Sequence, residues 1–202
     1  MTSHITNCGI PGVGMVPYGL HMCHFYPSRA DLLEALLPYF LAAVEHNERG
    51  LWIASAPLPA AEITSEIAQW PELKDAVRAG QLRVVDAVEW YGDPATLNSG
   101  EIVERLAEEE ARALADGYQG LRITSNRSSL WRGDWDRLMD YEKRLHEGLR
   151  GRRIVACCSY HDESRAVDML EIVRRHHAAL DFDDRHWHVW SQKAHEGLIE
   201  RP

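Results

Sequence analysis

Residues 20–44, with the sequence LHMCHFYPSRADLLEALLPYFLAAV, decide the fold because they join a strand to a helix. Residues 20–26 form a short apolar run that is typical of a buried strand. Ser28 and Asp31 have the Ser-x-x-Asp spacing of a capping box, which predicts that a helix begins beside them. The apolar residues after Asp31 recur on one broad stripe, as in a helix that packs against a sheet. Pro38 lies inside this helix and predicts a kink.

The same alternation of strand and helix continues along the chain. Further strands are predicted at residues 51–54, 82–88, 121–124 and 154–160 and around Val189. Further helices are predicted at residues 60–70, 98–117, 134–148 and 164–179. Strands that alternate with helices form right-handed βαβ units. The sequence therefore predicts a three-layer α/β fold, in which a mainly parallel sheet of about five or more strands has helices on both faces.

Length and composition indicate one domain. The chain has 202 residues, of which 45% are hydrophobic, and this is enough for a sizeable core. Because no internal linker or repeat is visible, we expect a single domain over residues 1–202. Within it, residues 1–19 are rich in glycine and proline and are predicted to be loop, and residues 191–202 are predicted to form a loose tail.

The charge balance excludes two classes of partner. The chain has 22 Lys and Arg residues against 31 Asp and Glu residues, which gives a formal net charge of −9. An acidic chain is unsuited to direct nucleic-acid binding through phosphate contacts or to binding an anionic membrane surface. Residues 1–7 lack the basic and apolar regions of a signal peptide, so a cytoplasmic location is expected.

A glycine-rich stretch at residues 9–14 has the spacing of a nucleotide-binding loop without its chemistry. Such a loop needs a lysine, a hydroxyl residue and a helix N-terminus directly after it. Met15 and Val16 occupy the lysine and hydroxyl positions here. The link at residues 27–29, between the first strand and its helix, also contains no glycine or lysine. The sequence therefore predicts no working phosphate-binding loop, no nucleotide hydrolysis and no cofactor.

An ordered set of short motifs resembles the MEDS domain, the sensory domain of methanogen and methylotroph signalling proteins and of DcmR-type dichloromethane-responsive regulators. In chain order, the motifs are His21-Met22-Cys23-His24-Phe25-Tyr26, Ser28, Asp31-Leu32, Pro38-Tyr39-Phe40, Asn47-Glu48, Leu51-Trp52-Ile53, Gly80-Gln81, Glu89-Trp90-Tyr91, Gly120-Leu121-Arg122, Asp134-Trp135, Asp140-Tyr141-Glu142, Cys158-Ser159-Tyr160 and His177. The resemblance extends over residues 9–190, nearly the whole chain.

This resemblance implies a degenerate KaiC/RecA-like fold that has lost nucleotide hydrolysis. It also implies a non-catalytic domain that senses a small molecule, such as a one-carbon or halogenated hydrocarbon derivative, in bacterial or archaeal signal transduction or transcription regulation. Members are usually fused to a DNA-binding or kinase output module. Since this chain leaves no length for such a module, we expect a protein partner to supply the output, and a homo-oligomer is compatible with this function.

Ligands of parallel α/β sheets bind at the carboxyl ends of the strands, so the ligand pocket is predicted there. Thiol, imidazole and aromatic side chains at these ends would form an apolar recess with a few polar groups. The predicted ligand-binding residues are His21, Cys23, Tyr26, Trp52, Glu89, Tyr91, Arg122 and Tyr160. Glu89 is placed at the end of the third strand, where it would pair with Arg122 or hold the ligand.

Two other interpretations remain open at this point. A thiol- or metal-dependent enzyme would use Cys23 and neighbouring histidines, with His21, Cys23 and Cys158 as the candidate metal ligands. No Cys-x-x-Cys or His-x-x-x-His pair supports a metal site. A pure protein-interaction module would instead bury the same residues as core, since reduced cysteines behave as small hydrophobic side chains. Four cysteines in 202 residues do not indicate a disulfide framework.

Overall fold

The computed structural model describes residues 4–92, 98–126, 135–161, 172–183 and 186–191. The strands are β1 (Ile5–Asn7), β2 (Met15–Pro17), β3 (His21–Tyr26), β4 (Arg49–Ala54), β5 (Leu82–Asp86), β6 (Leu121–Asn126), β7 (Ile154–His161), β8 (Ala178–Asp183) and β9 (His186–Ser191). The helices are α1 (Arg29–Glu45), α2 (Ala60–Ile67), α3 (Pro71–Arg78), α4 (Ala87–Tyr91), α5 (Ser99–Ala115) and α6 (Trp135–Gly148).

Seven of these strands form the main sheet, in the order β5-β4-β6-β7-β3-β8-β9. The six strands from β5 to β8 are parallel, and β9 pairs with β8 in the antiparallel direction. Helices pack on both sides of the sheet. The predicted three-layer α/β fold with a mainly parallel sheet is therefore confirmed.

Each face of the sheet has its own hydrophobic core, because alternate residues of a strand point to opposite faces. The face that carries Cys23 and Cys158 packs against α4, α5 and α6 and is called the α5/α6 face. The face that carries Met22, Trp52 and Cys157 packs against α1, α2, α3 and the N-terminal strands and is called the α1 face. Strands β3 and β6 are buried along their whole length.

The strand-to-helix unit that the sequence predicted is present. Ser28 is the N-cap of α1, and its hydroxyl accepts a hydrogen bond of 3.3 Å from the Asp31 amide. Only two residues separate the end of β3 from the start of α1. This short link leaves no room for a loop that could wrap a triphosphate.

The prediction that residues 1–19 contain only loop is wrong. Strands β1 and β2 form an antiparallel hairpin in which Ile5 pairs with Pro17 and Asn7 pairs with Met15. Each strand has only three residues, too few for a hydrophobic period to be visible in a segment rich in glycine and proline. Residues 9–14 therefore lie in the turn of a hairpin and do not lead into a helix.

Two further boundaries differ from the prediction. Strand β5 ends at Asp86, and residues 87–91, which hold Glu89, form the short helix α4. The predicted helix over residues 164–179 falls partly on residues 162–171, which lie outside the described residues. Its last predicted residues, Ala178 and Ala179, belong instead to strand β8, which pairs with β3. Short apolar runs fit a helix and a buried strand equally well, and here pairing with β3 decides the structure.

We expect Gly9→Ala to destabilise the protein by more than 2 kcal/mol, about the upper cost of a left-handed conformation. Gly9 has a φ of +83°, and a Cβ atom there would lie 2.3 Å from the Pro38 carbonyl oxygen of α1. Urea unfolding measures the effect. Gly14→Ala is the matched control, since Gly14 has a φ of +71° but no atom within 4 Å of the added carbon. Equal losses in the two variants would show that the contact between the hairpin and α1 is unimportant.

Candidate functional site

The eight predicted ligand-binding residues do not surround one recess. Four lie on the α5/α6 side of the sheet: His21, Cys23, Tyr91 and Tyr160. Three lie on the α1 side: Tyr26, Trp52 and Arg122. Glu89 is exposed on α4. The sheet therefore separates the predicted set into two groups, and only the first can contribute to a site beneath α5 and α6.

Arg122 pairs with Glu48 and not with Glu89, which corrects the expected ion pair. Both side chains are fully buried, and Nη2 of Arg122 lies 2.6 Å from Oε2 of Glu48. The guanidinium also donates to the carbonyl oxygens of Asn7, Cys8 and Tyr39, at 2.7–2.8 Å. A buried guanidinium needs this complete set of acceptors. Arg122 therefore joins the N-terminal hairpin, α1 and the sheet, and its contacts are structural.

Glu48 has a second partner in the same buried network. The Tyr18 hydroxyl donates a hydrogen bond of 2.7 Å to Oε1 of Glu48. Burial and this carboxylate raise the pKa of Tyr18 to about 12. The carboxylate thus accepts hydrogen bonds on both oxygens, as a buried charge requires.

A small cavity of about 10 Å³, enough for about one water molecule, lies between the sheet and helices α5 and α6. Its lining is mostly apolar and aromatic, with a few polar groups from β6 and with cysteine on β7. The lining residues are Ile53, Tyr91, Leu106, Ile123, Thr124, Ser125, Tyr141, Leu145, Cys157 and Cys158. Of the eight predicted ligand-binding residues, Tyr91 is the one that lines this cavity.

Cys23 lies on the same face, but its chemistry is that of a buried thiol. Its Sγ atom lies 3.8 Å from the Ala178 carbonyl oxygen, to which the thiol donates. Burial, followed by the neighbouring Cys157 and Cys158, raises the pKa of Cys23 well above its usual value. Because the thiolate is the reactive form, a thiol with a raised pKa is a poor nucleophile. His24 follows Cys23 in β3 and points to the opposite face, so these two side chains do not form a thiol–imidazole pair.

Four chemically active side chains meet next to this cavity: His21, Glu142, Cys158 and His176. All four are buried, and one ligand atom from each lies within 4.8 Å of the others. Oε2 of Glu142 lies 3.3 Å from Nε2 of His21 and 3.3 Å from Nε2 of His176. Nε2 of His21 also lies 3.4 Å from Sγ of Cys158. We call this group the His/Glu/Cys cluster.

The cluster is assembled from four separate parts of the chain. His21 begins β3, Cys158 lies in β7, Glu142 lies on α6, and His176 lies just before β8. Strands β3 and β7 are neighbours, with Cys23 opposite Cys158 in the register. Glu142 reaches the sheet because it lies on the buried side of α6, between Leu138 and Leu145.

Neighbouring groups fix the orientation of two cluster members. The Tyr160 hydroxyl donates a hydrogen bond of 2.7 Å to Oε1 of Glu142. Nδ1 of His176 lies 2.7 Å from the carbonyl oxygen of Ile172, which makes this nitrogen the protonated one. Oε2 of Glu142 and Nε2 of His176 are therefore the atoms directed towards the centre of the cluster.

Burial holds His21 and His146 neutral. Desolvation, followed by the nearby His176, lowers the pKa of His21 to about 3. Desolvation and the neighbouring His177 lower the pKa of His146 to about 4. The rings of His146 and His177 lie 4.1 Å apart between their centroids, and the ring of His146 lies 5.9 Å from that of His21. Neutral imidazoles can accept a hydrogen bond or bind a metal through the unprotonated nitrogen.

Sequence reasoning singled out His21 and Cys158 but did not assign Glu142 or His176. For Glu142 a signal was present, because a carboxylate occupies the apolar stripe of an amphipathic helix between Leu138 and Leu145. Such a position predicts a buried charge that needs partners. For His176 no comparable local signal exists, since its burial depends on the pairing of β8 with β3.

Comparisons with known proteins identify the class of this α/β domain. The family described as MEthanogen/methylotroph, DcmR Sensory domain (MEDS) matches residues 20–177. The chain belongs to this family of sensory domains, which confirms the resemblance noted in the sequence. No curated protein matches the chain.

A structural comparison supports the fold assignment. A KaiC-like protein from the hyperthermophilic archaeon Pyrococcus horikoshii matches with a TM-score of 0.61 and 14% sequence identity. The match covers 93% of this chain and 87% of that protein. The KaiC/RecA-like fold is therefore confirmed. In the part of the chain that the structure describes, the helices are too short or too polar to cross a membrane.

We expect Glu48→Gln to lower the free energy of unfolding by about 3–5 kcal/mol, because it leaves the buried Arg122 without its counter-charge. Urea unfolding at neutral pH measures the change. Asp116→Asn is the control, since Asp116 is 56% exposed in its ion pair with Arg49 and its loss should cost at most about 1 kcal/mol. Similar small losses in both variants would contradict a structural role for the Arg122–Glu48 pair.

Acidification should destabilise the protein through His24. Burial lowers the pKa of His24 to about 4, against a partial opposing effect of Asp31. Below its usual pKa of about 6.5 the unfolded chain binds a proton that the folded protein excludes, so stability is present above that pH and falls towards about pH 4. We expect a loss of a few kcal/mol, measured by urea unfolding with a chelator present. The slope of stability against pH should be smaller in His24→Asn, and an unchanged slope would contradict this origin.

Proposed function

We propose that this chain is a non-catalytic sensory domain that binds a small, largely apolar molecule between the sheet and helices α5 and α6. The observation that carries the proposal is the small, mostly apolar cavity on the α5/α6 face. Membership of a sensory-domain family supports a role in signalling. The ligand class, a one-carbon or halogenated hydrocarbon derivative, is proposed from the resemblance to the family alone.

The cavity as it stands has room for about one water molecule, so a ligand of a few heavy atoms would bind by displacing side chains of α5 and α6. Ile53, Leu106 and Ile123 supply apolar contacts, while Ser125 supplies a polar side chain. A small chlorinated or methylated compound fits this combination better than a nucleotide or a sugar.

The position of the cavity offers a way to transmit binding. Its wall combines residues of β4, β6 and β7 with residues of α4, α5 and α6. A ligand that binds one packing of these helices more tightly than another shifts the balance between the two packings. The sensory output would then be a displacement of α5 and α6 relative to the sheet, read by a protein partner.

The chemistry of the buried thiols supports a non-catalytic domain. Burial raises the pKa of both Cys23 and Cys157 well above the usual value, so these cysteines remain protonated. A thiol-dependent enzyme needs the opposite shift. The link of two residues between β3 and α1 likewise disfavours nucleotide hydrolysis.

We expect small halogenated or one-carbon compounds, tested as a panel that includes dichloromethane, chloromethane and methanol, to raise the Tm of the protein. The expected rise follows from binding to the folded state alone and grows with ligand concentration. Calorimetry in sealed cells measures it. A panel without any concentration-dependent rise would contradict the proposal.

A pair of variants on helix α5 tests whether the ligand binds in the cavity. Leu106→Phe fills the cavity from α5 and should abolish the ligand-induced rise in Tm. Leu114→Phe introduces the same ring on α5 at a position that is 40% exposed, and should leave the rise unchanged. Equal responses of the two variants would place the ligand elsewhere.

A further inference from the structure

We propose that His21, Glu142, Cys158 and His176 form a binding site for one divalent transition-metal ion, with Zn²⁺ as the expected occupant. This proposal does not rest on the proposed sensory function. It follows from the distances, the donor chemistry and the orientation of the four side chains.

Three of the six distances between donor atoms are those of a tetrahedral site. A zinc ion with bonds of about 2.0–2.3 Å holds neighbouring donor atoms roughly 3.3–3.8 Å apart. Three donor pairs of the cluster are separated by 3.3 Å, 3.3 Å and 3.4 Å, and all four donors lie within 4.8 Å of one another. Small side-chain adjustments would therefore place one ion within bonding distance of the four atoms.

The donor set also suits the ion in charge and in type. Zn²⁺ is commonly bound by imidazole nitrogen, thiolate sulfur and carboxylate oxygen. Two neutral imidazoles, one carboxylate and one thiolate carry a total charge of −2, so a divalent cation makes the buried site neutral. Such neutrality matters because all four side chains are removed from solvent.

Second-shell contacts already hold the ligands in a metal-binding orientation. Nδ1 of His176 is engaged by the Ile172 carbonyl oxygen, and its buried Nε2 atom makes no hydrogen bond to a described residue. Tyr160 donates to Oε1 of Glu142, which leaves Oε2 directed at both histidines. Metal-binding histidines and carboxylates in proteins are typically fixed by outer hydrogen bonds of this kind.

The surroundings of the site give it a nearest surface and a consequence for the fold. His146 and His177 are only about half buried and lie beside His21, so the surface nearest the cluster lies on their side. A bound ion would fasten α6 and the segment before β8 to the centre of the sheet. Because Cys158 also lines the cavity, the ion would lie at one end of that cavity.

Cobalt substitution tests the site in the full-length protein. After removal of bound metal with a chelator, titration with Co²⁺ should saturate at one equivalent. It should give visible bands of tetrahedral cobalt and a near-ultraviolet thiolate-to-cobalt charge-transfer band. Zn²⁺ should then remove these bands and raise the Tm. Absence of the bands in protein that retains its folded circular dichroism spectrum would overturn the proposal.

Variants assign the ligands. Cys158→Ser should lose the charge-transfer band, and Glu142→Gln should weaken Co²⁺ binding by at least about 10-fold. Cys23→Ser is the matched control, since Cys23 is the register partner of Cys158 but lies outside the cluster, and it should keep both sets of bands. If Cys158→Ser and Cys23→Ser behave alike, the proposed ligand set is wrong.

A measurement on the unmodified protein tests the ligand set even if the variants fail to fold. X-ray absorption of the zinc-loaded wild type should show one sulfur and three nitrogen or oxygen neighbours around the ion. A shell without sulfur, or with several sulfurs, would exclude this site. The cavity ligand is detected by a rise in Tm and the metal by its spectra. A negative result for one therefore leaves the test of the other valid.

Discussion

The burial of strand β3 is the constraint on which the rest of the structure depends. It lies between β7 and β8 and is covered on both faces, so all six of its residues are buried. Two of these residues are histidines and one is a cysteine. Polar groups in such a position must find partners inside the protein, because their transfer from water is otherwise costly. The surroundings of β3 must therefore supply hydrogen-bond partners for its polar side chains as well as hydrophobic packing.

The two faces of the sheet meet this requirement in different ways. On the α1 face, Arg122 and Glu48 form a saturated network that holds the N-terminal hairpin and α1 against the sheet. The charged groups of Arg122 and Glu48 have hydrogen-bond partners within this network, so the network is structural. On the α5/α6 face, the His/Glu/Cys cluster adjoins a cavity, and its donor atoms converge. One face thus stabilises the framework, whereas the other carries the features that can bind a ligand or an ion.

In this chain a KaiC-like fold belongs to a sensory domain. The chain keeps the parallel sheet of a KaiC-like protein, but β3 joins α1 through two residues and without a glycine-rich loop. This link contains no loop whose amide groups could surround a phosphate, and the Ser28 side chain accepts a hydrogen bond from the Asp31 amide at the start of α1. In the proposed function, binding has moved from the strand ends to the space beneath α5 and α6, where apolar side chains select a small molecule.

The sequence alone determined the strand-to-helix unit, the parallel sheet and the capped start of α1, because hydrophobic period and capping residues act over a few neighbouring positions. It also drew attention to His21 and Cys158. Tertiary structure decided which side chains share a face. Glu89, expected beside Arg122, is exposed on a helix, whereas Glu48, from a distant connection, is its true partner. Glu142 and His176 join His21 only because α6 packs on the sheet and β8 pairs with β3, and contacts between such distant segments leave no periodic signal in the sequence.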